Sequence, residues 1–165
     1  MSQEIKTKSV RIKNIAALQK AVQTLRQQGK NVELVKDGKC RLWSGSTRQC
    51  DWVLKLNNRR FDVGLIRGKT KNPNDEAEYE LGFDDWDGEV FNELGKEIEG
   101  ITHMRGHTSV KSGYKFTQEE ITLSNVNNVL TEYYKETFSM QAQSHGYTMS
   151  SEHEKNEETI LEYAV

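Results

Sequence analysis

Three short stretches in which apolar and polar residues alternate follow one another in the middle of the chain: CDWVLKLN at 50–57, FDVGLIRG at 61–68 and YELGFD at 79–84. Each reads as a β-strand. Loops join them, the longest being GKTKNPNDEAE, which holds the only proline, Pro73. Upstream, NVELVKDG and CRLW read as a strand, an Asp-Gly turn and a second strand. Before those, Val10 and Ile12 alternate with basic residues in TKSVRIKN, a half-buried strand, and Asn14 is placed to cap a helix. Ile15, Leu18, Ala21, Val22 and Leu25 then follow helical spacing, with Gly29 as the stop. Downstream, Val90, Phe91, Leu94 and Ile98 form an apolar stripe ending near Gly100. A longer helix is expected from Ser124 or Asn125 through Val126, Leu130, Tyr133, Tyr134 and Phe138 to Gly146. The tail offers a hairpin, YTMSSEH and TILEYAV, with Leu161, Tyr163 and Val165 on one face. Strands grouped in the middle, with helices towards both ends, restrict the chain to an α+β fold: a mostly antiparallel sheet with about three helices.

At 165 residues the chain suits a single domain, 1–165. No apolar run approaches the roughly 18 residues of a membrane span, and MSQEIKTKSV lacks an apolar signal core. A cytoplasmic protein with no membrane role is expected, in which Cys40 and Cys50 are reduced thiols. The net charge of −2 conceals a split: residues 1–75 hold 17 Lys and Arg against 6 Asp and Glu, and residues 76–165 hold 6 against 19. Such halves either pair with each other or present a basic and an acidic face to partners.

Several motifs carry a family resemblance. The chain opens with a basic strand and a helix, Lys8 to Leu25. Asp51, Val53 and Leu56 follow, then Phe61, Asp62, Val63 and Gly64, then Tyr79, Leu81, Asp85 and Trp86; Tyr133 or Tyr134, Gly146 and Tyr147 close the pattern. In these residues the sequence resembles the family called domain of unknown function twelve fifty-seven, which includes the conserved plastid and cyanobacterial reading frame thirty-five. Two departures stand out: Asp87 occupies the place of a second Trp, and segment 101–123 is longer, a candidate inserted hairpin. The resemblance implies no activity. Family members are often encoded beside an AAA-type ATPase, which implies a partner role.

The acids of residues 84–89 raise the question of chemistry. An EF-hand register with Gly88 at position 6 puts Asp85 and Asp87 correctly, but Phe83 and Leu94 fall where the first and last ligands belong. A hydrolytic carboxylate pair needs one buried and one solvated acid, and this run reads as solvated. The simplest expectation is that the strand ends at Phe83, Asp87 caps the following helix, and Trp86 packs in the core beneath the turn. The alternative is an acidic partner-binding patch of Asp84, Asp85 and Asp87.

His103 and His107 share a zinc-like spacing only on a helix, and Gly106 argues for a loop. Cys40 and Cys50 match no common zinc spacing, so no metal or cofactor is expected. His103, Arg105, His107, Lys111, Tyr114 and Lys115 instead form a cationic, hydroxyl-bearing hairpin over 101–116. Arg59 and Arg60, with Lys55, Arg67, Lys69 and Lys71, offer a second basic patch. No stacking motif or helix-turn-helix signature marks nucleic-acid binding. WSGSTRQ is no P-loop, and no nucleophile elbow or triad spacing assigns a catalytic residue. The expected function is a non-enzymatic binding or adaptor protein, with an AAA-type ATPase as the partner the family context implies. The alternative is a small-molecule binder that sequesters a nucleotide-like anion between the basic strands and the hairpin.

Overall fold

The computed structural model describes residues 4–68, 77–146, 148–155 and 158–164. Strands β1 (Ile5–Lys6), β2 (Glu33–Arg41), β3 (Thr47–Lys55), β4 (Val63–Arg67) and β5 (Tyr79–Phe83) form one sheet in the order β1-β5-β4-β3-β2. Every pairing in it is antiparallel. Helix α1 (Ile15–Gln27) precedes β2; α2 (Glu89–Leu94), α3 (Gln118–Leu123) and α4 (Asn127–Ser144) follow the sheet. A small hairpin, β6 (Ile101–Thr102) and β7 (Ser109–Val110), lies between α2 and α3, and a second, β8 (Thr148–Lys155) and β9 (Glu158–Ala164), follows α4. The fold is the expected α+β arrangement, with α3 as an additional short helix.

Helix α1 forms where its pattern places it. The Asn14 side chain accepts from Ala17 N at 3.0 Å, satisfying one of the orphan amides of the first turn. Its buried stripe, Ala17, Leu18, Ala21, Val22 and Leu25, packs against α4. Together they cover Leu54, Leu56, Val63, Leu65, Leu81 and Phe83 of the strand region, with Val129, Leu130 and Tyr133 from α4. The Tyr133 hydroxyl accepts from the backbone N–H groups of Lys13 and Asn14 at 3.1 and 3.2 Å, fixing α4 to the entry of α1.

Four expectations are corrected. The Asp-Gly pair makes no turn: β2 runs through it, with Lys36 opposite Trp52 and Gly38 opposite Cys50 in one register. Asp37 adopts φ 53° inside the strand, and the chain reverses at 42–46, where Ser44 and Gly45 supply φ of 60° and 74°. The N-terminal strand is broken: after β1, Ile12 makes only an isolated bridge to Tyr79, although Val10 and Ile12 are buried as their alternation requires. Lys8 and Ser9 bulge between, their backbone N–H groups and the Ser9 hydroxyl all donating to Glu119 Oε1. Helix α2 stops at Leu94, short of Gly100, because the chain passes close to Gly95: a Cβ there would lie 2.9 Å from the Ser124 carbonyl oxygen. Helix α4 starts at Asn127, because 118–123 is already helical behind a Thr117–Glu120 capping box. The tail face of Leu161, Tyr163 and Val165, the loop of Pro73 with Lys69 and Lys71, and Tyr147 lie outside the described residues and side chains.

The charge split is largely absorbed within the molecule. Arg11 pairs with Glu80, Lys13 with Glu78, Arg59 with Glu93, and Arg60 with Asp87 and Glu89, each joining the basic half to the acidic one. Cys40 and Cys50 are free and buried, and a Cβ on Gly64 would sit 3.4 and 2.7 Å from their sulfurs, so the two thiols share the space that glycine leaves. Burial pushes both thiol pKa values up, and for Cys40 the neighbouring Cys50 adds to it. Among the described residues no helix is long and apolar enough to cross a membrane.

Candidate functional site

The acidic run leaves β5 and turns at once. Asp84 is buried and accepts from Trp86 N at 2.9 Å, a local turn that starts the bend. Asp85 is only 6% exposed, and its two oxygens accept from His107 Nδ1 at 2.6 Å and Thr108 N at 2.8 Å. Asp87, at φ 54°, accepts from Gly106 N at 2.9 Å and donates its own N–H to the Gly106 carbonyl at 2.8 Å. Its second oxygen faces Arg60 Nη2 at 3.4 Å. Gly88 follows at φ 65°, pressed against the His103 carbonyl where any Cβ would collide.

Two readings of this stretch change. Asp87 does not cap α2: the N-cap is Gly88, without a side-chain bond, because consecutive positive φ values aim the Asp87 carboxylate at the hairpin. Asp84 and Asp85 are not a solvated patch: both are buried and are bonded by groups of the same chain. The acids form a clamp that holds loop 103–108 against the end of the sheet.

His103 and His107 serve that clamp from opposite sides. His103 is buried, stacked face to face on Phe91 at 3.8 Å, with Nε2 2.8 Å from Ser124 Oγ. The Ser124 hydroxyl donates to the Ile121 carbonyl at 2.6 Å, so Nε2 carries the proton and donates to Oγ. Burial pulls the His103 pKa down to about 4, the nearby Asp85 charge opposing only in part. His107 turns outward onto Asp85. The two rings therefore do not converge, and among the described residues no group of three or more His, Cys, Asp or Glu is placed to hold a metal ion.

The basic candidates divide likewise. Arg59 donates to Glu93 Oε1 at 3.1 Å, and Glu93 also accepts from Asn31 N at 2.8 Å. Arg60 Nε faces Glu89 Oε1 at 3.1 Å. Arg67 pairs with Asp51 and Lys55 with Asp62. Arg105, Lys111, Tyr114 and Lys115 are exposed, and the Tyr114 hydroxyl donates to Glu99 at 2.7 Å.

Trp86 is partly buried against the main core and also belongs to a row of rings. Phe61 and Trp43 stand 6.3 Å apart, Trp43 and Trp86 5.4 Å, and Trp86 and His107 5.0 Å. Trp43, in the 42–46 turn, is the member that spacing alone did not single out; a Trp in a turn rich in Ser and Gly was its only signal. Beside this row lies an open depression of about 660 Å³ lined by Arg41, Leu42, Trp43, Thr47, Arg60 and Phe61, among others.

Behind the depression sits Asp62, fully buried. It accepts from Arg41 Nε and Nη2 at 2.8 Å each, from Arg41 N and Leu56 N at 3.0 Å each, and from Lys55 Nζ at 3.3 Å. Burial alone would raise its pKa, but the Arg41 side-chain bond and the two backbone donors outweigh burial and hold it below the ordinary carboxylate value.

The clamp predicts a local effect. Asp85→Ala strands Thr108 N and frees His107, at an expected cost of about 1–3 kcal/mol in urea unfolding. The Gly106 and Thr108 amides should exchange with solvent much faster than in the parent, while α1 amides keep their relative protection.

Comparison of the chain with protein-family models, curated proteins and solved structures finds no match.

Proposed function

We propose that this chain is a non-enzymatic binding protein, an adaptor that engages another protein through the face of Trp43, Trp86, His107 and Arg60. The observation that supports this most is the ring row: three partly exposed rings beside a depression, two of which, Trp86 and His107, stand on backbone fixed by the Asp85 and Asp87 clamp. Aromatic and arginine side chains held in place are the groups that dominate protein interfaces, and prior ordering lowers the entropic cost of association. The anion-binding alternative has less support, because Lys55, Arg59, Arg60 and Arg67 already face the molecule's own carboxylates. The family resemblance puts an AAA-type ATPase first among partners, and a cytoplasmic setting suits the two free thiols.

Affinity capture from the native cell should retain a protein on the parent chain. Trp43→Ala should weaken that retention by roughly 30-fold, as truncating an interface anchor costs about 2 kcal/mol or more. A nucleotide panel should leave the melting temperature unchanged. Retention of no protein, together with a clear thermal shift by one nucleotide, would replace this reading with the anion binder.

A further inference from the structure

Loop 103–108 is tied down at every residue but two. His103 bonds Ser124, Gly106 is held through both N–H and C=O by Asp87, His107 and Thr108 bond Asp85, and the Asn125 amide donates to Thr108 Oγ1 at 3.0 Å. The exceptions are Met104 and Arg105. Met104 is 73% exposed, the most exposed large hydrophobic residue described. Arg105 is exposed at φ 60°, and among the described residues it has no hydrogen-bond or ion-pair partner.

A single exposed Met needs no explanation by itself. The backbone around this one does. A non-glycine residue in the left-handed region is strained and persists only when its surroundings hold it there. Here six hydrogen bonds from buried or part-buried partners converge on four residues and leave the two-residue tip projecting in one conformation. Gly106 lies against the Trp86 ring, 3.9 Å from where its Cβ would stand, so the tip continues the proposed binding face.

Charge identifies what fits it. Residues 101–116 contain Arg105, Lys111 and Lys115 and no Asp or Glu, within the half of the chain that is otherwise strongly acidic. We infer that Met104 and Arg105 form a rigid knob that enters an apolar socket rimmed by carboxylates on a partner protein. Met104 fills the socket with a soft, adaptable side chain, and Arg105 pairs with a rim carboxylate. Lys111 and Lys115 add longer-range attraction. The inference rests on the protein-binding reading above and names the chemistry of its partner.

The test uses the full chain with a photo-crosslinking benzoylphenylalanine at position 104, and the same group at the exposed Phe138 on α4 as control. In native-cell extract the expected result is a protein adduct from position 104 alone. Its crosslinked peptide should carry apolar residues flanked by Asp or Glu. Met104→Ala and Arg105→Gly, the latter keeping the positive φ at no strain, should each cut capture of that protein by about tenfold or more. Raising salt from about 0.05 to 0.5 M should weaken capture further, as exposed charge contacts are screened. Met104→Ala is an exposed change, so its urea midpoint should match the parent, and Arg105→Gly, which relieves the left-handed strain, should not lower it. Loss of capture in Trp43→Ala with full capture in both tip variants would overturn the knob and leave the binding reading standing. Capture of no protein by the parent would overturn both, and an adduct to nucleic acid or lipid would overturn the knob.

Discussion

Replacing Asp62 with Ala is expected to lower the unfolding free energy by about 3–5 kcal/mol. The carboxylate is fully buried, and five donor contacts converge on it, from Arg41, Leu56 and Lys55. Removing it strands the Leu56 and Arg41 amides in the interior and leaves the Arg41 guanidinium without its anion. Arg41→Ala should cost less, because that side chain is 37% exposed and the carboxylate keeps two amides and Lys55. Urea denaturation of the two variants gives the order. Equal losses would mean that the pair, and not the buried charge, sets the cost. Because the folded pKa of Asp62 is depressed, its contribution is complete above the ordinary carboxylate range. It is lost as pH falls through the folded value.

Acidification should reveal His103 before any carboxylate. Its folded pKa of about 4 lies below the ordinary 6.5, so between those values the unfolded chain takes up a proton that the folded protein refuses. Stability should therefore be complete above pH 6.5 and fall as pH approaches 4, by about 3 kcal/mol for this group, with no further loss from it below that. His103→Phe keeps the stack on Phe91 and removes the titration. The variant loses the Ser124 bond and starts less stable, but its pH profile across that window should be flatter. An unchanged slope would show that His103 is protonated in the folded state.

Much of the fold was legible because strand and helix periods are local. The alternation around Val53, Leu65 and Leu81 and the stripe from Leu18 to Leu25 each report a single face, and the sheet and α1 follow from them. What was hidden depends on residues distant in sequence. Asp85 looks solvated until Thr108 arrives, 23 residues on, to bond it. Arg60 looks like a free cation until Glu89 and Asp87 meet it. The Asp-Gly pair reads as a turn because turn chemistry is local, yet the ladder with β3 overrides it and hands the reversal to Ser44 and Gly45. Helix α3 was not expected at all: its one local signal, the Thr117–Glu120 box, is four residues long and lies inside a segment that reads as an inserted hairpin.

Strand β2 closes one side of the sheet with nine residues, and an open edge of that length is a template on which another chain can zip. Asp37 interrupts it. At φ 53° its peptide groups turn out of line with those of its neighbours, and Lys36 and Lys39 flank the break with charge. A second copy arriving along β2 would find no more than four regular residues before the mismatch and would bring its own lysines against these. The turn-forming pair that makes no turn thus leaves β2 a poor template for edge-to-edge pairing.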